Sequence, residues 1–96
     1  MSFIEQFDAA NGLMYDKVYS EALFIWEFML EDNPTNANIL YKIGMCHVYL
    51  NSESEALPYF EKAQYSVVKN YNPFSPMEKN APPELYYYLA KSSHIH

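Results

Sequence analysis

The stretch Tyr19-Ser20-Glu21-Ala22-Leu23-Phe24-Ile25-Trp26-Glu27-Phe28-Met29 returns in outline as Glu53-Ser54-Glu55-Ala56-Leu57-Pro58-Tyr59-Phe60-Glu61-Lys62-Ala63. Ala22 matches Ala56, Trp26 matches Phe60 and Met29 matches Ala63, each pair 34 positions apart. Self-similarity at a fixed period of this size marks a repeat architecture. The residue types have a physical logic. A small alanine lets two helices approach closely, and an aromatic one turn later fills the space beside it. Pro34 closes the first unit, because proline cannot donate a backbone hydrogen bond and disfavours helix in the residue before it.

Outward from these two segments the chain reads as helices throughout. Phe3, Phe7, Ala10 and Met14 follow steps of four, three and four, one face of a helix over about 3–16. Gly12 lies inside it, at a cost of about 1 kcal/mol against alanine, which points to close packing there. The second helix spans about 18–31. Thr35 or Asn36 caps a third over about 37–50, and Asn51-Ser52 forms a polar break and cap before the fourth. The fourth starts near Glu53 and carries Ala56, Leu57, Phe60, Ala63 and Val67 at helical steps. Pro58 costs it one backbone bond. Residues 71–82 hold three prolines and read as a loop. Pro83 then opens a fifth helix, about 83–95. The expected fold is all-α: two helical hairpins and one additional C-terminal helix in a single domain over 1–96.

Composition narrows the function. The net charge is −6, from 6 lysines and 12 carboxylates, and the lysines are scattered singly. Clustered Lys and Arg are what grip a phosphate backbone, so nucleic acid is not an expected partner. The same deficit argues against an anionic membrane surface. No apolar run approaches the ~20 residues of a membrane span. The lone cysteine allows no internal disulfide. The start, Met-Ser-Phe-Ile-Glu, has neither the basic nor the apolar stretch of a signal peptide.

The 34-residue period, with Leu40, Ile43-Gly44, Ala56, Phe60 and Ala63 on signature positions, resembles the tetratricopeptide-repeat (TPR) family. The resemblance implies repeat one at about 3–36 and repeat two at about 37–70. The first helix of a third repeat, about 83–95, follows an inserted loop, 71–82. Tyr86 and Leu89-Ala90 take the matching places there, Tyr86 as a core residue. Gln6 and Ala9 fit poorly, and Val68 replaces the closing proline of repeat two. More narrowly, residues 36–44, 56–63 and 78–90 resemble the N-terminal repeats of Bacteroidetes envelope proteins, the PorE component of the type IX secretion system among them. There, TPRs precede a β-propeller and an OmpA-like domain. That resemblance implies a periplasmic or cell-envelope location; without it, the cytoplasm is expected.

The resemblance implies a TPR-like α-α superhelix whose concave groove holds a protein or peptide. The groove positions fall on Phe7, Asn11, Met14 and Tyr15, then on Asn38, Tyr41, Lys42, Met45 and Tyr49, then on Glu84, Tyr87, Tyr88 and Lys91. Tyrosine offers a flat apolar area with a polar tip, which suits protein contact. Of the lysine and asparagine set with which some TPR domains clamp a C-terminal carboxylate, only Asn11 matches, so no such clamp is expected. A structural spacer, or a homodimer through an uncapped last helix, is the alternative.

Catalytic readings lack support. Adjacent Cys46 and His47 point about 100° apart on a helix; each reads as a packed residue. His94 and His96 lack a third ligand. The acidic residues of the second and fourth helices read as solvated faces. No phosphate loop or nucleophile motif is present, and neither metal nor cofactor is expected.

Overall fold

The computed structural model describes residues 1–94. They form five helices, α1 (Phe3–Tyr15), α2 (Tyr19–Asp32), α3 (Ala37–Tyr49), α4 (Glu53–Ala63) and α5 (Leu85–His94). Ile95, the expected last residue of α5, lies outside the described residues, as do the side chains of His94 and His96. Each helix packs against the next in sequence, and the first three connections are short enough to turn the chain straight back.

Local chemistry sets the ends. Ser2 and Glu5 form a reciprocal capping box on α1: Ser2 Oγ accepts from the Glu5 amide at 3.2 Å and Glu5 Oε1 accepts from the Ser2 amide at 3.0 Å. Asn36 caps α3 through the Ile39 amide, 3.1 Å. Ser52 precedes α4 but makes no side-chain capping bond, contrary to expectation. Its backbone is used instead. α1 and α3 end in the same left-handed turn, at Lys17 (φ 63°) and Asn51 (φ 61°). After each, the amide two residues past the cap reaches back five positions, Val18 to Leu13 O at 2.8 Å and Ser52 to His47 O at 2.8 Å. Lys17 and Asn51 are again 34 apart, so the period extends to backbone geometry. A left-handed conformation costs an ordinary side chain about 1–2 kcal/mol, and asparagine less. Lys17→Gly should therefore stabilise the protein by about 1 kcal/mol, raising Tm by roughly 4–8 °C. Asn51→Gly should give a smaller rise; equal shifts in thermal melts would contradict the assignment.

Two cores share α3. The first joins Phe7 and Ala10 of α1, Ala22, Trp26 and Met29 of α2, and Ile39, Ile43 and Cys46 of α3. The second joins Leu40 and Met45 of α3, Ala56, Phe60 and Ala63 of α4, and Ala81 and Leu85. Trp26 and Phe60 are both fully buried. A Cβ on Gly44 would overlap the Phe60 ring, so α3 and α4 meet through that glycine. Gly12, by contrast, faces open space with no atom within 4 Å of a Cβ placed there, which corrects the expectation of close packing.

α4 stops at Ala63, and Val67 is not helical. The Val68 amide donates to Ala81 O (3.0 Å) and the Ala81 amide to Ser66 O (2.8 Å), a parallel β-bridge between Val67 and Ala81. Two adjacent β-branched residues favour this extended pairing. The bridge clasps the base of a compact loop, residues 67–81, of the kind whose ends meet while its middle packs on the protein. Tyr86 is 52% exposed and Ala90 is also exposed, so neither is core. Among the described residues no helix packs on that face of α5, which turns Leu85 inward instead.

Candidate functional site

The loop lies across the face of α1 and α3 that the sequence assigns to a partner. The Asn11 amide donates to Pro73 O at 3.3 Å. Lys42 Nζ donates to Asn11 Oδ1 at 2.6 Å and to Pro73 O at 2.8 Å. The Asn38 amide donates to Glu78 O at 3.2 Å, and its carbonyl oxygen accepts from the Tyr71 hydroxyl. The Ala37 amide, at the open start of α3, donates to Lys79 O at 3.1 Å. Phe74 stacks on Tyr15 at 5.4 Å, and Tyr71 meets Tyr41 edge to face at 6.0 Å. Within the loop, the Glu78 carboxylate accepts from the amides of Asn72 and Asn80 and from the Asn80 side chain. Burial raises the Glu78 pKa, but these bonds together outweigh it and hold it below the usual carboxylate value.

A cleft of about 450 Å³ remains between the loop and the helices, within the range of ligand sites. It is lined by Asn11, Met14, Tyr15, Tyr19, Tyr41, Lys42, Met45, Tyr49, Tyr71, Pro73, Pro82 and Glu84. Five of these are tyrosines, so the wall is mostly flat apolar surface carrying hydroxyl groups. Tyr19 stacks on Tyr49 at 4.7 Å across the mouth. The sequence anticipated Asn11, Met14, Tyr15, Tyr41, Lys42, Met45, Tyr49 and Glu84. It missed Tyr19, Tyr71, Pro73 and Pro82; no periodicity announces what a proline-rich loop folds back upon.

Several expected groove residues are placed elsewhere. Phe7 is a core residue, edge-on to Trp26 at 5.3 Å. Asn38 is fully buried and spends its hydrogen bonds on the loop. Lys42 lines the cleft, but it is only 4% exposed and its amine is bound within the chain. Tyr87 is exposed on α5, and Tyr88 packs on Tyr87 (5.0 Å) and Phe60 (6.2 Å). Lys91 lies 4.0 Å from Glu53. None of these last three lines the cleft.

Lys42 is the electrostatic oddity. Its amine sits 5.2 Å from the Phe7 ring centroid and 5.5 Å from that of Trp26, and no carboxylate of the described residues pairs with it. Burial brings its pKa down from 10.5 to about 8, with the Cys46 thiol opposing slightly. The folded protein thus releases this proton near pH 8, while the unfolded chain keeps it to about 10.5. Between those values the unfolded state binds more protons, so Lys42 contributes stability that rises with pH. Burial raises the thiol of Cys46 to about 12 and the hydroxyls of Tyr41 and Tyr71 upward, so those groups cost stability above about pH 9–10. Urea midpoints from pH 7 to 9 should climb relative to those of Lys42→Met; parallel curves would refute the buried charge.

Cys46 is buried and its raised pKa leaves no thiolate at neutral pH. His47 stacks on Tyr59 at 5.7 Å, with Nδ1 3.5 Å from Glu55. Among the described residues no three His, Cys, Asp or Glu side chains assemble as a metal site, and no helix is long and apolar enough to cross a membrane. A scan of protein-family models, a search of curated proteins and a search of solved structures each returned no match.

Proposed function

We propose that this protein is a protein-interaction scaffold, a TPR-like repeat that holds a segment of a partner protein in the tyrosine-lined cleft between α1, α3 and the 67–81 loop. The observation that carries the reading is the cleft wall: five tyrosines and two methionines with hydroxyls at hand. Rigid tyrosines bind protein surface at low entropic cost, and methionines adapt to an apolar side chain. The TPR assignment rests on the 34-residue period, which the matched caps at Lys17 and Asn51 support. The cell-envelope placement rests on the narrower sequence resemblance, and a propeller and OmpA-like domain in the parent reading frame would be its test.

Tyr15 and Tyr49 are 65% and 49% exposed, so removing both rings spares the core. Affinity capture with the wild type, with Tyr15→Ala/Tyr49→Ala and with Tyr65→Ala tests the cleft. A partner retained by Tyr65→Ala should be captured roughly tenfold less by the double variant, a loss of about 1.4 kcal/mol. Identical capture by all three would defeat the proposal.

A second reading, self-association through α5, draws on the exposure of Tyr86 and Tyr87. A dimer that survives dilution in sedimentation, and is lost in Tyr86→Ser/Tyr87→Ser, would favour it over the cleft.

A further inference from the structure

The repeat supplies an internal control for the surface. Phe24 and Phe28 of α2 are 76% and 56% exposed. Thirty-four positions later, at the same register of α4, stand Pro58 and Lys62, also exposed. The fold therefore asks for no large apolar side chain there, since α4 carries only the small ring of a proline at one position and a lysine at the other. The two phenylalanines are one turn apart and share a depression of about 300 Å³ with Met1, Gln6 and Ile25. No residue lining it belongs to the tyrosine cleft.

Charge identifies what would cover it. Seven of the twelve carboxylates and one of the six lysines lie in residues 1–36, so the whole net charge of −6 resides on α1, α2 and their turns. Residues 37–96 balance five carboxylates with five lysines. Glu21 stands three residues before Phe24, and Glu31 and Asp32 three and four after Phe28, all exposed and on the same helix face. An apolar stripe bordered by carboxylates is complementary to an amphipathic helix whose apolar face is flanked by lysine or arginine. It repels anionic membrane and, at −6 per copy, a second molecule of this chain.

We propose that the Phe24–Phe28 face of the first hairpin is a docking surface for a basic amphipathic helix of a partner protein. The test uses a synthetic peptide with leucine at helical i, i+3, i+4, i+7 spacing and lysine elsewhere, alongside the same peptide with glutamate for lysine. Calorimetric titration should show the lysine peptide binding the wild type, more weakly as salt rises, and the glutamate peptide not binding. Phe24→Ala/Phe28→Ser, which changes only exposed side chains and leaves the net charge unaltered, should weaken binding roughly tenfold, whereas Tyr15→Ala/Tyr49→Ala should leave it unchanged. Amide shifts in the wild type should centre on residues 21–32. Equal affinity for wild type and the phenylalanine variant would reduce the effect to bulk charge and overturn the proposal. Absent binding, shifts centred on the tyrosine cleft, or a homodimer that the phenylalanine variant abolishes would overturn it too.

Discussion

Replacing Trp26 with alanine is expected to destabilise the protein by roughly 3–5 kcal/mol, a large share of the ~5–15 kcal/mol that holds a domain together. Trp26 is the largest fully buried side chain. Its indole meets Phe7 edge-on at 5.3 Å, its N–H donates to the sulfur of Met14 at 3.2 Å, and its face lies by the Lys42 amine. Removal opens a cavity among α1, α2 and α3 at once. It also strips one of the two rings from a buried amine that already lacks a carboxylate, so the loss should exceed that of an equally large apolar side chain. Phe24→Ala, two residues before Trp26 on the same helix but mostly exposed, should change stability by less than about 0.5 kcal/mol. Urea unfolding of the two variants checks this. A Trp26→Ala loss below about 1 kcal/mol would mean that the three helices do not close on the indole.

The same region shows what the sequence made legible and what it hid. Trp26 and Phe60 could be placed in the core because a wide aromatic recurs beside an alanine at a fixed interval, and burial of that pair is the only arrangement that explains both. The seat of the Phe60 ring was harder to find. Alanine at position 56 marks the helix carrying the ring, but the close approach is made by Gly44 on the facing helix. Counting 34 back from Gly44 gives Ala10, a fully buried residue of the first core, not Gly12. A glycine read by itself thus misled, whereas its place in the period would have pointed correctly. The end of α4 went astray for a related reason. Val67 continues the helical spacing from Ala63, but periodicity counts only side chains. The backbone partner that draws Val67 and Val68 into extended geometry is Ala81, far along the chain.

The candidate site was half legible on the same grounds. Residues on α1 and α3 inherit their direction from helical geometry, so Met14, Tyr41, Met45 and Tyr49 could be placed on one face. The opposing wall is made by a loop whose path is set by hydrogen bonds between distant backbone and side-chain groups. Asn11, Asn38 and Lys42 have the right types to grip an extended peptide, and they do grip one, namely the chain's own segment 71–79.

Asn38 holds that segment, and Asn38→Leu should release it. The side chain is fully buried and gives both its groups to the loop, one to Glu78 O and one to the Tyr71 hydroxyl. Leucine matches its size but offers neither a donor nor an acceptor. A buried polar group left without a partner costs about 1–3 kcal/mol, and here two are stranded, so a loss of roughly 2–4 kcal/mol is expected. The helices keep their own backbone bonds, so the far-ultraviolet spectrum should stay close to that of the wild type. The chain can escape the penalty by lifting residues 71–79 into water while the Val67–Ala81 clasp stays shut. Amide exchange and protease cleavage should then rise sharply within 72–80 and little elsewhere. Loop release would leave Tyr15 and Tyr41 without Phe74 and Tyr71 and turn the cleft into an open trough along α1 and α3. Unchanged protection of the loop in Asn38→Leu would show that Lys42, Asn11 and the clasp hold it unaided, and that the cleft has a fixed rather than an adjustable wall.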